Sequence, residues 1–369
     1  MRGRSPAAMR ISAASSRRWA PGFAMRAESR PGAPRISVVC AWYNRAGHIE
    51  ETLASLLSQH EADFEIVLID DGSPDPRVRD ILSGFDDPRL RVIHQDNTGF
   101  NRAIVRAIAE SRGAYIAIQG AGDISLPGRL AAQAALLDTD PAIGVVGTRY
   151  DNVVFGGPSH GLRTDARFTA LRPELDHLLY GPNPLGHGTV MMRRAVYDAV
   201  GGYRPFFQLA QDRDLWIRMA PHCGIAILDD NLYERRLFQE DGVAADRLKL
   251  VLQKGLALFA RQCHFDRLAN GRDFVDRFGP NAAFFRTRSP ELADFCARQA
   301  VQAFAAEDGD GAALLIRMAA DERKTPLVVL AGAFLAVCAA LPPLARLARR
   351  LLLGHGNARL WQLVRPVAK

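Results

Sequence analysis

The stretch that most constrains the fold runs from Pro34 to Asp123. Short apolar runs alternate there with helical patterns, and three of the runs end in polar turns. These runs and turns are Arg35-Ile36-Ser37-Val38-Val39-Cys40-Ala41 before Trp42-Tyr43-Asn44, Phe64-Glu65-Ile66-Val67-Leu68-Ile69 before Asp70-Asp71-Gly72-Ser73, and Ile116-Ala117-Ile118 before Gln119-Gly120-Ala121-Gly122-Asp123. Apolar strands separated by helices predict a mostly parallel sheet buried on both faces. Because ligands of such sheets bind beyond the carboxyl ends of the strands, the three turns predict one shared site in an α/β fold.

The charge of the chain is concentrated at its ends. Residues 1–35 hold eight arginines and one acid, and residues 342–369 hold five arginines, one lysine and no acid. Since the whole chain carries +7, the middle is acidic, at about −6, which argues against a basic nucleic-acid-binding face on the folded body. The five cysteines are scattered without a CxxC pair, which fits a reducing compartment and neither a disulfide framework nor a cysteine metal site.

The 369 residues suffice for one large α/β domain with a smaller appendage. We expect a disordered basic tail over 1–34, the sheet domain over 35–245, a helical extension without a chemical motif over 246–324, and an apolar then basic helical segment over 325–369.

The last segment allows two interpretations. Leu327 to Leu341 contains no charge, but a helix of that length spans only about 22 Å, short of the roughly 30 Å hydrocarbon core of a bilayer. It predicts either a helix lying in the inner leaflet, followed by the basic amphipathic segment Leu344 to Leu353, or a buried helix of a C-terminal bundle. Inner-leaflet contact would therefore involve residues 327–353.

Beyond Asp123 the pattern predicts further short strands. The predicted strands are Ile143–Gly147, Tyr150–Phe155, Gly188–Met192, Gly224–Leu228 and Leu232–Phe238. Polar turn clusters separate them, and helical patterns dominate after Asp246.

Several polar residues lie where a ligand would bind, and each also has a structural explanation. Asp70 and Asp71 can accept hydrogen bonds from a base N–H and a ribose hydroxyl, but Asp is also common in turns and at helix starts. Tyr43 can stack on a base or pack against the sheet. Asp123 can hold a metal ion or a sugar hydroxyl, or cap the helix that starts near Pro127.

Two residues in the second half of the chain carry the same ambiguity. Asp212 opens a predicted helix, where it can act as a general base or complement the helix dipole. His187 can be a catalytic group or a structural hydrogen-bond partner.

The order of these segments resembles that of the family 2 glycosyltransferases, a large inverting family with the GT-A fold. The resemblance extends from Pro34 to about Phe238, somewhat over half of the chain. It rests on Ser37-Val38-Val39-Cys40-Ala41-Trp42-Tyr43-Asn44, Ile69-Asp70-Asp71-Gly72-Ser73, Asn97-Thr98-Gly99, Gly113-Ala114-Tyr115-Ile116-Ala117, Gly122-Asp123-Ile124-Ser125-Leu126-Pro127-Gly128-Arg129-Leu130, His187-Gly188-Thr189-Val190-Met191-Met192-Arg193-Arg194, Gly201-Gly202-Tyr203-Arg204, Gln211-Asp212-Arg213-Asp214-Leu215-Trp216 and Leu232-Tyr233-Glu234-Arg235-Arg236.

The resemblance implies roles for individual positions. Tyr43 packs on the base of the donor, and one of Asp70 and Asp71 binds that base. Asp212 is the base that deprotonates the acceptor hydroxyl, as a single in-line displacement at the anomeric carbon requires. The implied donor site contains Tyr43, Asn44, Asp70, Asp71, Asn97 and Asp123, and the implied acceptor pocket contains His187, Gly188, Asp214 and Trp216.

The metal motif departs from the family pattern. The family's Asp-x-Asp falls on Gly120 and Gly122, and only the trailing acid remains, as Asp123. Gln211 likewise replaces the Glu that usually precedes the catalytic Asp.

Mg²⁺ or Mn²⁺ normally offsets the charge of the leaving diphosphate through oxygen ligands. Either Asp123 and nearby groups hold that ion in a variant geometry, or arginine and backbone N–H groups replace it. Arg129 and Arg213 are the candidates for replacement.

The implied function is transfer of a sugar from a nucleotide-diphosphate donor, with a UDP-sugar favoured, to a hydroxyl of a growing glycan or lipid-linked acceptor. The implied setting is polysaccharide biosynthesis for a bacterial cell envelope, on the cytoplasmic side and with no nucleic-acid partner. The alternative is a catalytically inactive nucleotide-sugar binder in a glycan assembly complex, which Gly120 and Gly122 motivate. A dinucleotide-dependent oxidoreductase is disfavoured, since the first turn carries Trp42-Tyr43-Asn44 rather than G-x-G-x-x-G.

Overall fold

The computed structural model of the protein describes residues 32–60, 62–157, 159–166, 170–238 and 246–353. The predicted basic tail therefore lies almost wholly outside the described residues, and the end of the basic C-terminal segment lies outside them too.

One mixed sheet organises the described chain. Its nine strands are β1 (Ile36–Trp42), β2 (Phe64–Asp71), β3 (Leu90–Gln95), β4 (Tyr115–Gln119), β5 (Ile124–Ser125), β6 (Ile143–Phe155), β7 (Arg163–Asp165), β8 (Met191–Arg193) and β9 (Gly224–Phe238). They are ordered β3-β2-β1-β4-β8-β6-β9-β5, with β7 on β6. The first four strands are parallel, β8 is antiparallel to both of its neighbours, and β6 is parallel to β9.

Helices cover both faces of this sheet and form the C-terminal part of the described chain. They are α1 (Ile49–Leu57), α2 (Pro76–Ser83), α3 (Phe100–Glu110), α4 (Arg129–Thr139), α5 (Leu175–Tyr180), α6 (Arg194–Ala199), α7 (Gln211–Met219), α8 (Arg247–Asn270), α9 (Phe274–Phe278), α10 (Pro290–Ala305), α11 (Gly309–Glu322), α12 (Pro326–Ala340) and α13 (Pro342–Leu353). The expected α/β class, with a helical C-terminal region, is confirmed.

The parallel half of the sheet follows directly from its apolar runs. Every residue of β1 and β2 is buried. Val39 and Ala41 pack with residues of α3 and α7 on one face, whereas Ile36 and Val38 pack with α4 on the other. A strand that is covered on both faces needs apolar residues at successive positions, which is the pattern that the sequence displays.

The second half of the sheet differs from the prediction. The sequence predicted two strands each over 143–155 and 224–238, but β6 and β9 are continuous and pair along most of their length. A bulge permits this, because Thr148 pairs with Leu228 and Arg149 with Asn231, leaving two aspartates of β9 without partners. The predicted strand Gly188–Met192 is also wrong at its start, where residues 187–189 form a 3-10 turn before β8.

The helical region is continuous with the sheet domain. Phe259, Ala260 and Cys263 of α8 belong to the same core cluster as the apolar residues of β1 and β2, and α10 to α13 enclose a second cluster. The boundary at residue 245 thus stays a prediction. None of the described helices is long and apolar enough to cross a membrane.

A buried ion-pair network ties α7 to α9. Arg204 binds Asp214 of α7 and also Asp273, whose two oxygens lie 2.8 Å from Arg204 Nη1. Asp273 caps α9 by accepting bonds from the backbone N–H groups of Val275 and Asp276. Burial alone would raise the pKa of Asp273, but the charge and hydrogen bonds of Arg204 outweigh it and hold that pKa below its usual range.

We predict that Asp273→Asn lowers the free energy of unfolding by about 3–5 kcal/mol, because Arg204 and Arg267 both lose a buried carboxylate partner. Urea denaturation measures this change. Glu110→Gln, which breaks the exposed pair with Arg91, is the matched control and should cost less than about 1 kcal/mol. The stabilisation by Asp273 is fully present at pH values above the pKa that this residue has in the unfolded chain. It is lost as the pH falls through the lower pKa that Asp273 has in the folded protein. Equal losses in the two variants would contradict the structural role of Asp273.

Candidate functional site

The loops that follow β1, β2 and β4 meet at one edge of the sheet, as the sequence predicts. Asn44 donates its backbone N–H to Ser73 Oγ (2.8 Å), which joins the first loop to the second. Arg45 donates from Nη1 to the carbonyl of Ala121 (2.8 Å), which joins the first loop to the third. The three polar turns therefore form one surface.

The loop after β1 is held in an unusual conformation. Asn44 and Arg45 both have positive φ, and the indole N–H of Trp42 donates to the carbonyl of Asn44. Tyr43 is 45% exposed at the rim, where a ring can stack on a base. The Asn44 Oδ1 atom is buried without a hydrogen-bond partner among the described residues, so it can accept one from a ligand.

The acidic pair after β2 is already well bonded. Asp71 accepts backbone bonds from Thr98 (2.9 Å) and Gly99 (2.9 Å), so it closes the loop after β3. Asp70 accepts from the N–H of Ser73 (3.1 Å), and its Oδ2 lies 2.8 Å from His94 Nδ1. Asp71 thus shapes the pocket. Asp70 has fewer protein partners and is the better candidate for binding a base. Asn97 is exposed and directly precedes Thr98 in the loop that Asp71 holds.

Asp123 lies at the centre of this edge. Its Oδ2 accepts from the Tyr233 hydroxyl (2.7 Å) and its Oδ1 from the backbone N–H of Arg236 (2.8 Å), both on β9. Burial raises the pKa of Asp123, although the bonds from Arg236 and Tyr233 oppose the rise. The Asp123 carboxylate therefore links the loop after β4 to the last strand of the sheet.

The glycines at 120 and 122 have no room for side chains. A Cβ on Gly120 would lie 2.1 Å from Asp123 Oδ2, and a Cβ on Gly122 would lie 2.8 Å from the Phe238 ring. Gly122 also has a φ of +88°, which side chains rarely adopt. The positions of the family's metal-motif acids are thus filled by Asp123 and by Phe238.

The donor set does not suit a divalent ion. Each oxygen of Asp123 accepts one hydrogen bond and keeps a single lone pair, and within the described ranges no three His, Cys, Asp or Glu side chains are grouped to supply the further ligands of a metal. Mg²⁺ and Mn²⁺ need several oxygen ligands, of which the protein usually supplies at least one or two carboxylates. The residues present therefore do not fit the metal that the family pattern implies.

Arg129 cannot replace that metal. It is fully buried, and its N–H groups all donate within the protein. The acceptors are Gln133 Oε1, Gln119 Oε1, Ser125 Oγ and the carbonyls of Ile118 and Gly188. Burial lowers the pKa of Arg129 to about 10, and its guanidinium lies 4.7 Å from the centre of the Tyr233 ring. The prediction that Arg129 could face the diphosphate is wrong, because its role is to support Tyr233.

Asp212 lies at the first turn of α7 with room for a further partner. Asn183 Nδ2 donates to its Oδ2 (2.8 Å), and the Arg213 N–H donates to its Oδ1 (2.8 Å). Each carboxylate oxygen thus accepts one bond from these neighbours and retains a lone pair. Arg213 also donates to the carbonyl of Gly181 (2.8 Å), which fixes its side chain beside the acid.

His187 and Gly188 lie between the two acids. His187 Nε2 lies 2.7 Å from the Tyr203 hydroxyl, and burial lowers its pKa against the opposing charge of Asp212. A Cβ on Gly188 would lie 2.3 Å from the Tyr233 hydroxyl and 3.2 Å from Asp123 Oδ2. The turn that carries these residues therefore connects the surroundings of Asp123 with those of Asp212.

Tyr150 provides a second connection. Burial raises the pKa of its hydroxyl, the nearby Arg235 opposes the rise, and the charges of Asp123 and Asp212 add to it. Both acids are thus within electrostatic range of one ring. Arg235 stacks over that ring at 5.1 Å and donates to Asn152 Oδ1 (2.7 Å).

The two remaining acceptor-pocket candidates lie in the interior. Asp214 is 1% exposed and pairs with Arg204 and Arg218. Trp216 is fully buried in the core, and its indole N–H has no partner among the described residues. The positions of Asp214 and Trp216 therefore favour a structural role over contact with an acceptor, because both residues pack α7 onto the domain.

A cavity of about 370 Å³ opens near Arg213, between α5, α8 and α10. Tyr180 and Arg261 line it, with the guanidinium 5.4 Å from the centre of the tyrosine ring.

Sequence reasoning missed the site residues of β9. Tyr233, Arg235 and Arg236 stand in a quoted block but received no role, because their contacts with Asp123 span more than a hundred positions along the chain. The signal that could have identified them is their position in the last segment of the family resemblance, Leu232-Tyr233-Glu234-Arg235-Arg236. Asn183 was missed because it lies in a turn of small residues and proline.

We predict that Gly120→Ala displaces Asp123 from Tyr233 and lowers the free energy of unfolding by about 1–3 kcal/mol, since the buried acid loses a hydrogen bond. Urea denaturation measures the change. Gly309→Ala is the control, because a Cβ there meets nothing within 4 Å. A Gly120→Ala protein as stable as wild type would show that the loop has space for a side chain.

The mixed α/β sheet flanked by helices is the fold expected of a GT-A domain. Residues 37–201 match the profile of "Glycosyl transferase family 2". The chain belongs to glycosyl transferase family 2.

Curated relatives are similar over about half of the chain. The putative glycosyltransferase EpsE of Bacillus subtilis is 32% identical over 50% of this chain and 66% of its own length. The uncharacterized protein MT1568 of Mycobacterium tuberculosis is 30% identical over 56% of this chain and 68% of its own length. The uncharacterized protein y4gI of Sinorhizobium fredii is 35% identical, but the match covers only 20% of that protein.

Among solved structures, S. aureus TarS 1–349 superposes with a TM-score of 0.47 at 21% identity, covering 71% of this chain and 79% of that chain.

Proposed function

We propose that the protein is an inverting glycosyltransferase that moves a sugar from a nucleotide-diphosphate donor to a hydroxyl of a growing glycan or lipid-linked acceptor. The observation that carries the proposal is that one loop reaches both acids, because Asn183 donates to Asp212 Oδ2 and Gly188 packs against Tyr233 and Asp123. A donor edge and a basic carboxylate therefore lie within one site. A UDP-sugar, a bacterial cell-envelope glycan and a cytoplasmic location are the expected setting.

The donor end of the site offers groups for a nucleoside. Exposed Tyr43 supplies a stacking face, and buried Asn44 Oδ1 supplies an acceptor without a protein partner. Asp70 supplies a carboxylate at 4% exposure beside them. A ring face with nearby acceptors fits a base that donates N–H groups, as uracil does.

Asp212 is the general base of the proposed reaction. It takes the proton of the acceptor hydroxyl while that oxygen forms a bond to the anomeric carbon and the bond from this carbon to the diphosphate breaks. Hydrogen bonds from Asn183 and from the Arg213 N–H orient the carboxylate. Desolvation lowers the pKa of the partly buried His187, which disfavours a competing cation beside Asp212. Displacement from the face opposite the leaving group inverts the anomeric configuration.

Guanidinium groups balance the charge of the leaving diphosphate in this proposal. Arg235 and Arg45 both act electrostatically on Asp123, so they lie at the donor edge. Arg235 donates to the neutral Asn152 amide, which leaves its positive charge to act on an anion. Arg213 is a further cation, beside Asp212.

We predict that Asp212→Asn lowers turnover by about 10²–10⁴-fold, because the amide cannot take the proton. Binding of the nucleotide should be unchanged, as measured by calorimetric titration. Asp176→Asn, at an exposed position of α5, is the matched control and should keep full turnover. Transfer assays with UDP-, GDP- and dTDP-sugars measure the first result.

The outcomes separate the two functions. Nucleotide binding without transfer in the wild type, together with no effect of Asp212→Asn, would support the inactive binder that Gly120 and Gly122 motivate. Retained transfer activity in Asp212→Asn would contradict the assignment of Asp212 as the general base. Absence of nucleotide binding would reject the donor site itself.

We predict that nucleotide affinity is the same with Mn²⁺ and with EDTA, because the described carboxylates do not form a metal site. Arg235→Ala should weaken binding roughly 10–100-fold, as expected for a lost charge-assisted hydrogen bond. Arg172→Ala, which removes an exposed arginine paired with Asp140, is the control. Binding that collapses in EDTA would contradict the assignment of the charge to arginines.

A further inference from the structure

The outward face of α12 is apolar along its whole length. Val329, Val337 and the C-cap residue Leu341 recur at multiples of four residues and are 59%, 46% and 53% exposed, and Leu330 beside them is 68% exposed. Residues four apart lie on one face of a helix, so these side chains form a continuous stripe. A helix that is apolar on its solvent side, as well as on its buried side, is unusual in a protein surrounded by water.

The helix that carries this stripe, α12, is firmly packed in the C-terminal bundle. Val328, Ala331 and Cys338, on the opposite side of α12, are buried in the cluster formed with α10 and α11. Thr325 caps the helix, since its Oγ1 accepts from the N–H of Val328, and Pro326 follows at the first position. The bundle therefore fixes which side of α12 faces outward.

α13 extends this surface. Leu344, Leu347 and Leu351 are 41%, 54% and 52% exposed, at a spacing that places them on one face of the helix. Ala345 and Leu352 on the other face are buried in the same cluster as α12. We call the exposed apolar side chains of the two helices the apolar face.

Positive charge borders the apolar face. Residues 323–353 contain four arginines, one lysine and no acid. Arg346 and Arg350 are exposed on α13, and Arg323 and Lys324 precede α12. Arg349 is held on the bundle, where its guanidinium lies over the Phe304 ring and 3.7 Å from Glu307.

The charge decides between occupants of the apolar face. A second copy bound through the same face would bring an identical set of cations against the first, and like charges across an interface oppose association. A span is excluded for α12 as it stands, because 15 residues give about 22 Å and one side is packed in the bundle. An anionic lipid surface offers both apolar depth and negative charge.

We propose that α12 and α13 dock the protein on an anionic bilayer, with the apolar face inserted at the level of the headgroups and the flanking cations on lipid phosphates. This inference concerns the location of the chain and does not depend on the proposed transfer chemistry. It selects the inner-leaflet interpretation of residues 327–353 while retaining the packing of α12 in the bundle.

The experiment is co-sedimentation of the full chain with vesicles of phosphatidylcholine, with and without phosphatidylglycerol. The wild type should bind the anionic vesicles and bind less at high salt. Leu330→Glu with Leu347→Glu should abolish binding, and Arg346→Gln with Arg350→Gln should weaken it roughly 30-fold. Leu268→Glu is the matched control, since Leu268 is an equally exposed leucine on α8 and should not matter.

Each result bears on the proposal. Unchanged thermal melting of the doubly substituted proteins verifies that they fold, as expected for exposed positions. If the wild-type protein does not co-sediment with anionic vesicles, the proposal that α12 and α13 dock on a bilayer is wrong. If the same glutamate pair then converted a dimer to a monomer in sedimentation velocity, the apolar face would be a protein interface instead. Equal vesicle binding by the wild type and the glutamate variant would also reject the assigned face.

Discussion

The hydrogen bonds of one buried carboxylate hold the two halves of the sheet domain together at its functional edge. Asp123 follows β4, in the half built from parallel strands, and it accepts from Tyr233 and Arg236 on β9, the last strand of the other half. Burial of that acid is unfavourable, as its raised pKa indicates, so the bonds compensate for a real desolvation cost. Because Tyr233 also contacts the Gly188 turn and the Arg129 guanidinium, a change at Asp123 would affect β9, the Gly188 turn and α4 together.

Arginine supplies much of the polar framework of this protein. Arg129 connects α4 to β4 and to the Gly188 turn through its five N–H donors, and Arg218 connects α7 to the carbonyls of Val200 and Gly202. A guanidinium can do this because it remains charged when buried and presents its donors in a fixed plane. The same property makes arginine suitable for balancing a diphosphate where oxygen ligands for a metal are few. Structural and proposed catalytic uses of the residue therefore follow from one chemistry.

The amount that the sequence predicts depends on the range of the contacts involved. β1, β2 and β4 are predictable because burial on both faces imposes a local apolar pattern, and the meeting of their polar turns follows from parallel pairing. The continuity of β9 is not predictable, because its bulge is stabilised by contacts with β6, including a bond from Thr148 to the carbonyl of Asp230. Asp212 and Asp214 look alike in sequence, yet a step of two residues on a helix turns one of them into the core. The exposure of one side of α12 depends on how its other side packs.

The crowding at Gly120 also bears on how this site can change over time. An acid at position 120 would need the volume that the Asp123 carboxylate occupies, and an acid at position 122 would need the volume of the Phe238 ring and an unfavourable backbone conformation. Restoring the metal motif one substitution at a time would therefore pass through proteins that have lost the Asp123 bonds and gained no ion. Selection for stability opposes such intermediates even if the final sequence would be active. The replacement of the motif acids by Gly120 and Gly122 is therefore hard to reverse, because the surrounding side chains now occupy the volume that those acids would need.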